Sequence, residues 1–357
     1  MQRPDRGGPA TLTVLRAGPQ DLIQDDGRVG LQRFGVSPSG ALDQDAYLVA
    51  LALAGSERGS AAIEFLHASG TYEVGGERHV MLAVAGAPGP VYVNGLALEA
   101  NRSFRLAPGD RLRAGPRRQG QRGYITACGG IAVPHVLGSA STHLRGGFGG
   151  LHGRALAAGD VLPVGGEGLP TFERFLPDSA WPEERRCPEA RDDAVVVRVM
   201  AGPQDDYFSA ATLERFAASV YRVTKDADRM GYRLEGPPLE HAQGFNIVSD
   251  AIATGSVQVP GSGMPIVLLA DRQTTGGFPK IATVIAADLP VLAQLGPGDL
   301  VQFRPVLREQ AEAALRARRA WHKSLDEKLR PAVLPPSQMS PEYLLSQNLV
   351  TAYWEEA

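Results

Sequence analysis

The chain has 357 residues, 43% hydrophobic and 21% charged, with Lys+Arg 36 against Asp+Glu 39 and a formal net charge of −3. That is enough apolar content for a sizeable core shared by two domains, and near-balanced charge excludes the basic footprint of a nucleic-acid binder or a polybasic membrane surface. Gly 42 and Pro 27, scattered without a period, predict turns joining short strands rather than a collagen-like chain.

Met1-Gln2-Arg3-Pro4-Asp5 opens no apolar stretch resembling a signal or an anchor, so the expected location is the cytoplasm, with no membrane partner. Residues 11–15 are the first β-branched, strand-like run, followed by Ala17-Gly18-Pro19-Gln20-Asp21. Asp43 is placed to cap a helix running through Leu53 and ending at Gly55. Residues 80–85, 91–93 and 123–127 read as further strands. From 167 to 193 the chain turns rich in Pro, Glu and Arg, which predicts an exposed connector. After it, residues 195–200 form a strand-like run followed by Ala201-Gly202-Pro203-Gln204-Asp205, the earlier pentapeptide again; Ser209 then caps a second helix, and residues 265–270 return to strand character.

Two related halves follow, 11–166 and 194–306, in a mainly β chain with antiparallel pairing. Pro297-Gly298-Asp299 echoes either Ala158-Gly159-Asp160 or Pro108-Gly109-Asp110 as a turn entering a strand. From 307 the composition changes to strong helix formers through Leu329, making 307–357 a helical C-terminal tail. Pro331, Pro335 and Pro336 interrupt it before Ser340-Pro341 and an aromatic end with Tyr343, Tyr353 and Trp354.

Several chemistries lack their parts. There is no GxxxxGK[ST] phosphate loop, no GxGxxG opening a helix and no HExxH. Cys128 and Cys187 stand in no disulfide or zinc pattern, and the seven histidines show no ligand spacing, so no metal is expected. None of the four lysines has the methionine neighbours of a biotin carrier.

Three segments offer chemistry. In residues 270–280, a strand end opening into a glycine-hinged loop, Arg272 can clamp a carboxylate or phosphate, Gln273 and Thr274 can orient it, and Lys280 supplies a point charge; the competing reading is an Asp271–Arg272 ion pair. Around 226–237, Asp228 and Arg229 precede Gly231; they serve as a site, or Arg229 pairs with Asp228 or Glu235 while Gly231 permits a positive φ. In 35–43, Ser39 and Gly40 sit in a small-residue loop whose backbone N–H groups can hold an oxyanion, and Asp43 is either a catalytic carboxylate or a helix cap. The glycine-rich 138–150 loop reads as a mobile lid, a partner-binding loop or a long surface loop.

Together, Gln24-Asp25-Asp26-Gly27-Arg28, Pro38-Ser39-Gly40-Ala41-Leu42-Asp43, Asp228-Arg229-Met230-Gly231-Tyr232-Arg233-Leu234 and residues 270–285 resemble the biotin-dependent carboxyltransferase family. That family includes the C subunits of 5-oxoprolinases, antagonists of a sporulation kinase inhibitor and the allophanate-hydrolase-subunit-2-like half of urea carboxylase. The resemblance implies two tandem cyclophilin-like β-barrel domains with few short helices. It also implies work in a hetero-oligomer with subunit-A-like and subunit-B-like chains, opening 5-oxoproline to glutamate with ATP bound or completed by a partner. Arg272 and Lys280 would then face charge developing on the lactam oxygen.

The alternative is carboxyl transfer from carboxybiotin to a urea-type nitrogen, with Arg272 at the biotin ureido oxygen and Asp228 or Asp43 holding the amine. A non-enzymatic regulator capturing a subunit-B-like partner is the third reading. The sequence departs from the family pattern at Asp26, usually Leu, at Ser249-Asp250-Ala251, often Ser-Glu-Gly, and in its extension beyond Leu329, a candidate docking segment.

Overall fold

Alternation of buried and exposed residues turns the β-branched runs into strands: Leu12 and Val14 point inward from Thr11–Arg16, as Val197 and Val199 do from Val195–Ala201. The structure, a computed structural model, describes residues 10–166, 169–185 and 193–332. In the first half, Val161–Pro163, Thr11–Arg16, Thr71–Gly75, Arg111–Ala114, Pro90–Val93 and Leu96–Glu99 form one sheet in that spatial order. The second sheet runs Asp21–Gln24, Ala62–Leu66, Arg122–Ala127, Val80–Gly86, Arg102–Leu106, Arg174–Phe175 and Arg330–Pro331. Both sheets close on a core that includes Leu12, Ile63, Phe65, Tyr72, Leu82 and Ile125.

The second half is a closed barrel of seven strands: Val195–Ala201, Lys280–Val284, Ser256–Gln258, Ile266–Leu268, Gly231–Glu235, Val220–Ala227 and Leu300–Pro305. Pairing is antiparallel except at the closure, where Val195–Ala201 runs parallel to Leu300–Pro305 with Val195 opposite Val301. Its core takes Tyr221, Tyr232, Val257, Val267 and Phe303, and also Leu42, inserted from the first half.

Helix α1 (Gln44–Ala54) starts where the Asp43 carboxylate accepts from the Ala46 amide at 3.0 Å and stops at Gly55, whose φ of 74° only glycine adopts without strain. Helix α2 (Ala210–Ala218) is capped by Ser209 in the same way. Among the described residues the other α-helices are α3 (Leu289–Leu292), α4 (Arg308–Lys323) and α5 (Leu325–Lys328). The tail helix is thus two pieces broken at Ser324; the aromatic end from Tyr343 to Trp354 lies outside the described residues.

Two organisational expectations are corrected. The connector is not simply exposed: Arg174–Phe175 joins the first half's second sheet beside Arg102, Glu173 is buried on Arg102 and the Arg105 amide, and Leu176 packs with Leu325 and Leu329 against α1. Glycine-aspartate turns entering strands do not mark the duplication either. Asp110, Asp160 and Asp299 each accept from the amide three residues earlier at 2.7–2.8 Å, and each turn is bound to a valine of a neighbouring strand, so one local solution appears three times.

Candidate active site at the junction of the halves

The 35–43 loop of the first half and the 269–272 segment of the second meet directly. The Ser39 amide donates to the Ala270 carbonyl at 3.2 Å, and the Ser37 hydroxyl donates to the Arg272 carbonyl at 2.5 Å. Ser39 and Gly40 both have positive φ, 51° and 84°, which folds the loop back against Gly27. A Cβ on Gly40 would stand 3.0 Å from both N and Cα of Gly27. Gly40→Ala is therefore expected to cost about 1–3 kcal/mol, read as a lower denaturation midpoint; an unchanged midpoint would refute the close-approach account.

Behind this contact lies a buried charge network. Arg229 donates to Glu64 at 2.7 Å, to Asp271 at 2.9 Å and to the Gly40 carbonyl at 2.7 Å, with all three charged side chains at most 6% exposed. Burial alone would push the Glu64 carboxyl up, but Arg229 and Arg122, with hydrogen bonds from Tyr124 and the Leu42 amide, hold it below its ordinary value. Tyr124 in turn accepts from the Asp43 amide at 2.9 Å. The Asp43 carboxylate is bound by Arg185 and by Gln294, whose amide oxygen takes the backbone amides of Gln121 and Arg122. One polar chain therefore crosses from the first half through the connector to the second.

This geometry reassigns four residues. Asp43 is fully buried, where it caps α1 and pairs with Arg185. Arg229 pairs with neither Asp228 nor Glu235 but with Glu64 and Asp271, and so ties the two halves together. Asp228 folds back onto the Met230 and Gly231 amides at 2.7 and 3.2 Å. Arg272, 1% exposed, gives Nε and Nη2 to the Ile252 carbonyl and Nη1 to that of Leu269; it forms no pair with Asp271, and burial pulls its pKa down to about 10. Its guanidinium donors are thus taken by backbone carbonyls. Gly231 is required by close approach rather than by positive φ, since a Cβ there would lie 2.7 Å from the Val267 carbonyl oxygen.

Lys280 lies apart from this junction, buried, with Nζ 2.8 Å from Asp250; Gln204 of the repeated pentapeptide reaches the same oxygen at 3.1 Å. Asp250, the position noted above as departing from the family pattern, thus engages the lysine. Gln273 is exposed, and the Thr274 carbonyl accepts from the Ile252 amide. The 138–150 loop is no loose lid: Ser139, Ser141 and the Ala140 amide all donate to Asp25 within 2.6 Å.

Between the junction and the tail opens a cleft of about 1190 Å³. Ser39, Leu269 and Ala270 line one end, α1 residues including Asp45 and Leu48 form the floor, and Arg318, Arg319, His322 and Lys323 of α4 form the opposite wall. Of the residues expected to form a site, Ser39 lines this cleft, its hydroxyl buried and without a hydrogen-bond partner in the described structure. The cleft's lining is mixed: apolar on the α1 side, with Arg58 paired to Asp26 and Arg174 to Asp326, and with Arg319 and Lys323 on the α4 wall. Sequence reasoning misses Asp45 and His322; the one available signal is an acid in the otherwise apolar α1 stretch.

Residues 34–305 match the carboxyltransferase domain, subdomain A and B. The chain is 35% identical over 317 residues to the 5-oxoprolinase C subunit of Escherichia coli, across 88% of this chain and 97% of that protein. It is 34% identical over 300 residues to the 5-oxoprolinase C subunit of Haemophilus influenzae, across 84% and 93% respectively. Among solved structures, K. lactis urea amidolyase superimposes with a TM-score of 0.81 at 28% identity over 94% of this chain, which corresponds to 21% of that larger one. With the matched segment taking in the junction and both halves, the chain belongs to the carboxyltransferase domain, subdomain A and B, family.

Proposed function

We propose that this chain is the C subunit of an ATP-dependent 5-oxoprolinase and opens the lactam of 5-oxoproline to glutamate together with subunit-A-like and subunit-B-like chains. The observation that carries this reading is the end-to-end match: 97% of the E. coli protein is aligned, whereas urea amidolyase shares only 21% of its length. The cleft supports it, because Arg319 and Lys323 offer positive charge to the carboxylate of 5-oxoproline. Having no phosphate loop of its own, the chain takes ATP through the complex, and the reading puts the complex in the cytoplasm, where the ATP pool lies. A second reading, carboxyl transfer within a biotin-dependent urea-carboxylase-like complex, draws on the 0.81 superposition with urea amidolyase.

Co-expression with subunit-A-like and subunit-B-like chains, followed by an assay of ATP-dependent glutamate release from 5-oxoproline, tests the first reading. Glutamate formation that needs all three chains supports it. An assembled complex that releases none, but carboxylates urea when given a biotinylated carrier, moves the assignment to the second reading; assembly without either turnover leaves the regulator.

A further inference from the structure

The tail helix α4 lies beyond the matched 34–305 segment, yet it supplies one wall of the cleft. From that wall, His322 Nε2 sits 2.8 Å from Asp45 Oδ1, and Arg318 engages the other oxygen of the same carboxylate. Asp45 is fully buried on α1 and is also approached by Arg185 at 3.5 Å. Burial opposes its charge, but His322, Arg185 and Arg318 outweigh burial and hold the carboxyl below its ordinary range, so it is ionised. Of the two arginines, Arg318 engages that carboxylate directly, while Arg185 has Asp43 as its nearer partner, so Asp45 is free to orient the imidazole.

In the neutral imidazole, an ionised carboxylate on Nε2 keeps the proton on Nε2 and leaves a lone pair on Nδ1. Nδ1 has no hydrogen-bond partner among the described residues, and His322 lines the cleft with its side chain 17% exposed. The Trp321 ring, centroid 5.4 Å away, packs beside the imidazole. The charged groups around the dyad are Arg185 of the connector, Arg318, Arg319 and Lys323 of α4, and Asp326 of α5.

We infer that His322, oriented by Asp45, is the proton acceptor of this cleft. This deepens the 5-oxoprolinase reading and rests on it. ATP supplied by the complex transfers its terminal phosphoryl group to the lactam oxygen and leaves as ADP; a water oxygen then bonds to the lactam carbonyl carbon as Nδ1 takes the water proton. The carbon–nitrogen bond then breaks, its electron pair goes to the ring nitrogen, and the imidazolium returns the proton there to release the amine; the acyl phosphate that remains is hydrolysed by a second water to glutamate and inorganic phosphate. Asp45 steadies the imidazolium between the two transfers without itself being protonated.

The test is His322→Gln in the full complex. Glutamine places an amide N–H near the position of Nε2 and so keeps the hydrogen bond to Asp45, but it carries no proton acceptor of comparable basicity. Expected are a fall in kcat of about 100- to 10,000-fold, an almost unchanged KM and melting temperature, and partial recovery with added imidazole. Wild-type kcat in H322Q would overturn the assignment, because a clasp role survives the substitution. Should H322Q fail to assemble, ¹⁵N-histidine NMR of the wild-type complex decides: an Nε2–H tautomer whose Nδ1 signal moves on adding 5-oxoproline supports the inference, and an Nδ1–H tautomer overturns it. A wild-type complex that releases no glutamate removes the oxoprolinase reading and this step with it, whereas turnover that is indifferent to H322Q removes His322 alone.

Discussion

Arg229→Ala should destabilise the protein by about 3–5 kcal/mol, the usual cost of deleting one partner of a buried ion pair. The substitution strands two carboxylates, Glu64 at 3% exposure and Asp271 at 6%, and also removes the donor to the Gly40 carbonyl. Against a total stability of roughly 5–15 kcal/mol for an ordinary domain, this is among the costliest single changes available in the chain. Because Glu64 belongs to the first half and Asp271 to the second, the loss falls on their attachment to each other. Urea unfolding monitored by fluorescence should show a lowered midpoint or a second, earlier transition as the halves separate. A midpoint within about 1 kcal/mol of wild type would mean that the apolar contacts around Leu42 join the halves without the network.

The same network fixes the sign of an acid effect. Glu64 is held below its ordinary value of 4.5, so its contribution to stability is fully present above that pH and is lost as pH falls through the depressed native value. In Arg229→Ala the main attraction holding the carboxylate ionised is gone, and burial pushes the group up instead. Protonation then relieves the variant while it penalises the wild type. The gap between the two should narrow as pH is lowered below about 4.5, and a gap that widens would show that Glu64 is not the responsible carboxylate.

Sequence and structure agree wherever the determinant is local. Asp43 and Gly55 bracket α1, and Ser209 starts α2, because a cap needs only a side chain and an amide within one turn. Strand positions are legible from alternation alone. Partner choice is not: sequence proximity offers Arg229 the neighbouring Asp228 and Glu235, whereas its true partners are Asp271, and Glu64 at 165 residues' separation. Nothing in a short window distinguishes those options, since the 35–43 and 269–272 loops become adjacent only once both halves have folded. Glu64 does carry a signal, a charged residue inside the apolar run Ala62–Leu66, where it must be paired once buried. Arg272 is a related case: backbone carbonyls of Ile252, 20 residues away, and of Leu269 take its guanidinium, partners that no window around residues 270–280 reveals.

Gln24-Asp25-Asp26-Gly27-Arg28 shows what such a segment does when its work is architectural, and it yields the second large expectation. Asp25 accepts from Ser139 at 2.6 Å, Ser141 at 2.5 Å, and the Ala140 and Gly27 amides at 2.6 and 2.8 Å. Arg28 donates to the carbonyls of Val136, Ser139 and Ser141 and stacks 4.9 Å from the Phe148 ring. Asp25→Ala leaves three buried donors and the half-buried Gly27 amide without their acceptor, and at about 1–3 kcal/mol for each group that water does not reach a loss of at least about 3 kcal/mol is expected. The damage should be concentrated in the 138–150 loop, where Arg145 is exposed at the tip. Trypsin should cut after Arg145 in Asp25→Ala well before it does so in the wild type, because cleavage needs a locally opened backbone. Burial opposes ionisation of Asp25, but the two serines and two amides outweigh it and lower its pKa below 3.8. The wild-type loop therefore keeps its full protection above that pH and loses it as pH falls through the depressed value. Equal cleavage rates in wild type and variant would mean that Arg28 and Phe148 hold the loop alone, and Arg28→Ala should then expose the cut that Asp25→Ala does not.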